Sequence, residues 1–499
     1  MAEKASRRHE GATHLVDIAI DRTSQASIGR QLYFALRDAI ISGRMPAGAR
    51  LPSTRAAAEL WGVSRGVVVE AYDTLLSESY VVGQHGSGTF VSADVPGRPE
   101  RARRTTATGS TVRSDISSAA RSVIGNTLLD PQPQVAFATG RAAPDDRTRA
   151  ILKRLGHRHL DALSDHYRDP QGEERLRSEV VTYLAAARGV RCDPDRVFIT
   201  SGSQQAIDLA IRTLIDRGDT VAIEEPGYPP ARLAFTAGGA KLVPIPVDPN
   251  GINVDLLTER TENIRAVYVT PSHQYPTGTV LSMARRLALI DWAAAKGAWI
   301  LEDDYDSEFR YDDRPLAALQ GVDEHDRVIY LGTFSKALLP GLRLGYLVVP
   351  AELVPAIRAM RVLLDRFPAP FHQLVVADFL SEGHFSSHLR RLREAYRESR
   401  DMLVALLLEQ FIDQPEIGVE VPLQGVHLLT RLPPGFDDVS IAQAARRSGV
   451  TVLPISAMHL APEVSHGLLL GFSALNREDA APAVKRLALA VLQGRARHG

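Results

Sequence analysis

Apolar residues recur at Leu32, Ala35, Leu36, Ala39 and Ile40, the spacing of one helix face, and the stripe stops near Gly43. A helix over 31–41 is predicted. Leu51-Pro52-Ser53-Thr54 then offers a hydroxyl N-cap to a second helical run through Trp61. The turn Gly62-Val63-Ser64 leads into a third helix from Arg65 to about Ser77, with Tyr72, Leu75 and Leu76 expected inward. Tyr80-Val81-Val82 and Thr89-Phe90-Val91, separated by a glycine-rich turn, read as a β-hairpin. Over 93–133 the periodicity is lost and Pro, Gly, Ser, Thr and Arg accumulate, including Arg101, Arg103 and Arg104, as in a flexible linker. From 134 to 499, helical segments such as 172–188 alternate with short apolar runs at 197–199, 221–223, 266–269 and 299–301. That alternation predicts an α/β domain with a mostly parallel sheet covered on both faces.

The 499 residues, 44% of them hydrophobic, are enough for two or three domains, here 15–92 and 134–499 around the linker. A net charge of −1 carries no whole-chain signal for nucleic acid, so any basic surface must be local. Cys192 is the only cysteine, which rules out a disulfide framework and a cysteine metal centre; no metal site is expected. No stretch approaches the ~20 apolar residues of a membrane span, and a cytoplasmic location without membrane contact is expected.

Two short helices joined by a glycine-containing turn form a helix-turn-helix candidate. The third helix opens on Ser64-Arg65-Gly66, where exposed backbone amides and a guanidinium suit a DNA groove. Arg65, Ser53 and Arg55 are the candidate base readers, Arg44 and Arg50 the phosphate contacts. The hairpin tip His85, Gly86, Ser87, Gly88 and Thr89 is a wing able to enter a minor groove. The stretch SGRMPAGARLPSTRAAAELWGVSRGVVVEAYDTLLSESYV, followed by GSGTFV, resembles the GntR-type winged helix, which implies double-stranded DNA with repeated half-sites as partner. Gly66-Val67-Val68 departs from that family's polar residue followed by Thr-Val.

In the second domain, Thr333-Phe334-Ser335-Lys336 is followed seven residues after the lysine by Arg343, behind the apolar run Val328-Ile329-Tyr330-Leu331. An amine, hydroxyls and a guanidinium fork at this spacing suit an aldehyde cofactor that carries a phosphate. Ser201-Gly202-Ser203-Gln204 follows a strand and opens a helix, a phosphate-binding geometry. Tyr228, after Pro226-Gly227, offers a stacking face. Glu302-Asp303-Asp304-Tyr305 ends a strand where a pyridinium nitrogen would need a carboxylate. These motifs resemble those of fold type I, aspartate-aminotransferase-like proteins that bind pyridoxal 5'-phosphate (PLP). The resemblance implies Lys336 as the catalytic-type lysine forming the Schiff base and Asp303, with Asp304 as runner-up, on the ring nitrogen. Tyr275 replaces the asparagine that normally bonds the phenolic oxygen, leaving His273 or Tyr305 for that contact. Tyr167 lies in a stretch that resembles the family's segment reaching toward the phosphate from a partner subunit, which implies the same role for it.

A winged helix followed by such a domain resembles the MocR subfamily of GntR regulators, as do GSQQAIDL, EEPGYP, PSHQYPTG, EDDYDSEFRY and TFSKALLPGLRLGY. The resemblance implies a PLP-dependent transcriptional regulator acting as a head-to-tail homodimer, with PLP or an amino compound as effector. An aminotransferase with an accessory DNA-binding domain is the rival reading. Leu469 stands where aminotransferases carry the arginine that clamps the substrate carboxylate, and Arg232 is the candidate to compensate. That loss favours PLP itself as effector, as in the regulators of pyridoxine synthesis.

Overall fold

The computed structural model describes residues 18–84, 86–95, 116–126, 133, 135–160, 166–312, 316–461, 465–475 and 477–495. His85 and the linker arginines Arg101, Arg103 and Arg104 lie outside them. The chain divides into two compact units, residues 1–114 and 115–499.

In the first unit, Ser27, Ser53 and Ser64 cap the helices Ile28–Ile41, Thr54–Leu60 and Arg65–Ser77, each hydroxyl accepting from a backbone N–H of the first turn. The first helix begins three residues before the predicted start at 31 because Ser27 supplies its cap. Leu32, Leu36, Ile40, Leu51, Val68, Tyr72 and Leu75 close the core, and Tyr72 donates to the Pro52 carbonyl at 3.0 Å. Leu76, expected inward, is 37% exposed. It is one residue past Leu75, so the 100° step of the helix carries it off the core face. Strands Val81–Gln84 and Gly88–Val91 pair antiparallel, with Val81 opposite Val91.

The second unit is built on an eight-stranded sheet in the order Val197–Thr200, Gly345–Val348, Val328–Thr333, Trp299–Asp304, Ile264–Val269, Thr220–Glu225, Lys241–Asp248, Gly251–Ile252. Gly345–Val348 runs antiparallel to both neighbours, Gly251–Ile252 is antiparallel to its one neighbour, and the other pairings are parallel. Successive residues bury on opposite faces. Val197, Ile199, Tyr330, Tyr346 and Val348 pack with the helix Glu174–Arg188, whereas Phe198, Ile329, Leu331 and Leu347 pack with the helix Ser203–Leu214. A second, antiparallel sheet of four strands, in the order Gly418–Val419, His427–Leu432, His466–Gly471, Leu453–Pro454, packs against the helices Asp438–Arg447 and Arg477–Arg495.

Residues 118–123, inside the stretch read as linker, form the helix Ser118–Val123. It packs on the helix Pro229–Gly238, and the Ser118 hydroxyl accepts from the Arg217 guanidinium at 3.0 Å. Among the described residues, no helix is long and apolar enough to cross a membrane.

Candidate functional site

The carboxyl ends of the parallel strands deliver the chemistry to one cavity of about 340 Å³. Thr333 ends its strand, and the following turn carries Ser335 and Lys336 into the cavity wall; Thr333 Oγ1 lies 3.0 Å from Ser335 Oγ and accepts from the Ser335 N–H at 3.1 Å. The Lys336 amine is held below its ordinary range by burial, an effect that Asp306 and Asp303 partly offset.

Alternation along Trp299–Asp304 separates the acidic residues. Glu302 accepts from the backbone N–H groups of Leu319 and Gln320, and Asp304 is held by Arg188 at 2.8 Å and Tyr330 at 2.7 Å. Asp303, on the opposite face, lines the cavity and accepts from the Tyr268 hydroxyl at 2.5 Å. Its other oxygen, Oδ1, is buried without a hydrogen-bond partner. Burial pushes the Asp303 carboxyl up to about 7, against the Tyr268 bond, which lowers it.

At the phosphate end, Arg343 sits in the left-handed region, φ 51°, and donates to the Ser201 carbonyl at 2.6 Å. Gly202, φ 89°, lets the guanidinium approach, since a Cβ there would lie 3.2 Å from it. Ser203 and Gln204 line the cavity from the first turn of their helix. Gly140 closes another side, where a Cβ would stand 3.0 Å from Lys336 Nζ.

Of the residues read from sequence, Ser203, Gln204, Tyr228, Tyr275, Asp303, Tyr305, Thr333, Ser335, Lys336 and Arg343 line this cavity. Ser201 and Gly202 do not; they support Arg343 through a carbonyl and an absent side chain. His273 also lies behind the wall, because its Nδ1 is engaged with Asp306 at 2.9 Å and with the Tyr305 hydroxyl at 3.1 Å. Tyr305 is therefore the one of the pair that faces the cavity. Arg232 is not a lining residue either: it donates to the carbonyls of His459 at 3.1 Å and Ala457 at 3.4 Å. Tyr167 is 75% exposed, edge-on to Phe367 with the Arg366 guanidinium over its ring.

Thr139, Gly140, Thr270, Pro340, Val426 and His427 complete the wall and were not anticipated. Pro340 belongs to the TFSKALLPGLRLGY motif and Thr270 directly precedes PSHQYPTG; the others carry no local signal. His273, Asp306 and His427 offer three buried donor atoms within 4.8 Å of one another, a grouping sequence spacing does not reveal, but His273 Nδ1 is already bonded to Asp306.

In the first unit, Ser53, Arg55, Ser64, Arg65, Gly66, Arg44, Arg50, Gly86, Ser87 and Gly88 are all exposed and Thr89 is half-buried. Arg65 Nε lies 3.3 Å from the Thr54 hydroxyl, which joins the starts of the second and third helices. A Cβ on Gly88, φ 114°, would lie 3.1 Å from Arg50, so the wing packs closely on that arginine.

The cavity residues fit PLP on two observations: an unpartnered buried carboxylate oxygen, and a cradle beside Gly202 that any side chain would crowd. Residues 134–487 match the family of class I and II aminotransferases, and residues 28–91 match the gntR family of bacterial regulatory proteins. The chain is 36% identical to a probable rhizopine catabolism regulatory protein, MocR, of Rhizobium meliloti, over 95% of this chain and 96% of that one. It is 31% identical to the pyridoxine biosynthesis transcriptional regulator PdxR of Corynebacterium glutamicum, over 91% and 94%. The α-aminoadipate aminotransferase LysN of Thermus thermophilus superposes with a TM-score of 0.69 at 27% identity, covering 77% of this chain and 98% of that one. A GntR winged helix, a fold type I aminotransferase domain and full-length similarity to such regulators lead to one conclusion: the chain belongs to the MocR-type transcriptional regulators of the GntR family.

Proposed function

We propose that this regulator holds PLP in the cavity around Lys336 and that occupancy of the same cavity by a small ligand sets its affinity for operator DNA. The observation that carries the reading is the pairing, in one cavity, of a buried lysine amine with the unpartnered Asp303 Oδ1. When bound, PLP supplies an aldehyde carbon that captures primary amines and a pyridine ring that draws electrons when protonated. Lys336 presents the amine, with its proton more easily lost because burial disfavours the charge. Asp303 holds a proton at the ring nitrogen, Tyr268 fixes that carboxylate, and Tyr305 directs its hydroxyl at the ring's oxygen. Arg343, Ser335, Thr333, Ser203 and Gln204 hold the phosphate.

Tyr167 is exposed yet fixed by Phe367 and Arg366, as suits a residue completing the cavity of a second subunit in a head-to-tail homodimer. Ligand binding then shifts the population of DNA-competent protein by the difference in affinity between its two states. The effector is PLP itself or an amino compound beside it, and the likeness to PdxR favours genes of pyridoxine synthesis among the targets. The rival reading, turnover as an aminotransferase, uses the same Lys336 and Asp303.

The test is borohydride reduction of the purified protein followed by peptide mass analysis, together with operator binding by PLP-loaded and PLP-free protein. PLP mass on Lys336 and a PLP-dependent operator affinity are expected. Mass elsewhere, or an affinity indifferent to PLP and to amines, overturns the reading; steady turnover of amino acid to keto acid selects the enzyme.

A further inference from the structure

His273 and Asp306 do not line the PLP cavity, yet both bear on a residue that does. His273, 3% exposed, follows the strand Ile264–Val269, and Asp306, 1% exposed, follows the strand Trp299–Asp304, so two neighbouring parallel strands bring them together. His273 Nδ1 lies 2.9 and 3.1 Å from the two Asp306 oxygens and 3.1 Å from the Tyr305 hydroxyl. Gly425, φ 83°, closes over the pair: a Cβ there would overlap the imidazole and stand 2.8 Å from Asp306 Oδ2. Its N–H donates to the Phe309 carbonyl and its own carbonyl accepts from the Tyr311 hydroxyl, both at 2.7 Å, which fixes the cover in place. Every group of this arrangement comes from one chain.

A carboxylate accepts hydrogen bonds and donates none, so the imidazole proton facing Asp306 sits on Nδ1. With a proton there, Nδ1 has no lone pair for the Tyr305 hydroxyl, and the hydroxyl oxygen accepts from it instead. The phenol's own proton is thereby left to the cavity that Tyr305 lines. A proton on Nε2 would reverse this: the same 3.1 Å contact would draw the Tyr305 proton onto His273 and away from the cofactor. Burial, reinforced by Asp306, Tyr275, Asp303 and Glu224, keeps Tyr305 a phenol. The charges facing Lys336 are Asp306 and Asp303. The His427 ring lies 4.9 Å from that of His273, and burial holds its pKa well below the ordinary range, so it faces the pair as a neutral imidazole.

We infer that Asp306 and His273 are positioning residues that aim the Tyr305 hydroxyl at the phenolic oxygen of PLP, and so set the pH at which the proton leaves the nitrogen joining Lys336 to it, a role that rests on the reading of Lys336 as the PLP anchor. A hydrogen bond donated to the phenolic oxygen draws off the negative charge that retains the proton on that nitrogen, so losing it moves the pH midpoint of the visible band up. The experiment is pH titration of that band in the full-length PLP-loaded protein. Tyr305→Phe is expected to raise the midpoint by about one pH unit, the worth of one hydrogen bond to a charged oxygen. Added to Asp306→Asn or to His273→Phe, the same change is expected to raise it by less than about a third of a unit, because the hydroxyl is no longer aimed. Added to His273→Asn, whose amide N–H stands in for Nδ1–H, it is expected to regain most of the unit. Taking the Tyr305→Phe step within each background cancels the direct effect of the lost Asp306 charge on Lys336. An equal step in all backgrounds overturns the inference, as does a step in His273→Asn no larger than in His273→Phe. A midpoint that stays or falls in Tyr305→Phe alone also overturns it, a comparison that holds even where variants of the buried pair do not fold. Absence of PLP mass on Lys336 after borohydride overturns the PLP reading itself.

Discussion

Tyr268 gives Asp303 its one hydrogen bond, 2.5 Å long, from the neighbouring parallel strand, so a phenol and not a cation orients the carboxylate in the cavity. Removing that hydroxyl leaves both carboxylate oxygens unpartnered and pushes the carboxyl further up. Tyr268→Phe is therefore expected to lower PLP affinity about three- to tenfold, the worth of one buried hydrogen bond to an ionisable group, read from absorbance titration of PLP-free protein. Unchanged affinity excludes Asp303 as the ring-nitrogen partner.

Glu224, Glu302, Asp303 and Glu308 are each pushed up to about 7, chiefly by burial. A carboxyl raised in the folded chain stabilises it at pH below the ordinary carboxylate value, and the contribution is lost as pH rises through the folded value. Between pH 5 and 8 the thermal midpoint of the PLP-free protein should fall. PLP should reduce the fall by pairing with Asp303. Differential scanning calorimetry at constant ionic strength reads both, and a midpoint that climbs over this range contradicts the assignment.

Lys336→Ala is expected to abolish covalent attachment, seen as loss of the visible band and of the borohydride-fixed mass, with folding and nonspecific DNA affinity nearly unchanged. On the proposed reading, Arg343, Ser335 and Ser203 are expected to hold the phosphate in this variant as well. Retention of the band places the attachment on another lysine.

Arg65→Ala is expected to reduce discrimination between operator and random DNA by about 1 to 3 kcal/mol, whereas Arg44→Ala weakens both alike and lowers the salt slope by about one. Both side chains are exposed, but Arg65 begins the third helix and Arg44 follows the first. Parallel loss on both DNAs for Arg65→Ala removes that helix from base reading.

Sequence patterns revealed most of what is local. Ser53 and Ser64 cap helices as hydroxyls before apolar runs predict, and the strand ending at Thr333 delivers Lys336 because a buried run must stop where a polar turn begins. What depended on distant partners was hidden. His427 and Gly140 reach the cavity from segments about 90 residues after and 200 before Lys336, with nothing in their neighbourhoods to mark them. His273 was read into the cavity from its motif, but Asp306, which follows the next strand 33 residues later, draws it behind the wall. The helix Ser118–Val123 is too short to be stable alone and exists by packing on its neighbour, so composition reads it as linker.

That short helix limits how far the winged helix can stray from the sensing unit. Composition alone places about 40 linker residues between the units, a full extension of about 140 Å. With the chain pinned at Ser118 to Arg217, only the roughly twenty residues 96–115 separate the last described position of one unit from the first of the other, a maximum of about 70 Å. Half-sites one helical turn apart are about 34 Å from centre to centre. The anchor thus sets an upper bound, on the order of two such turns, on the length of chain that joins the two units.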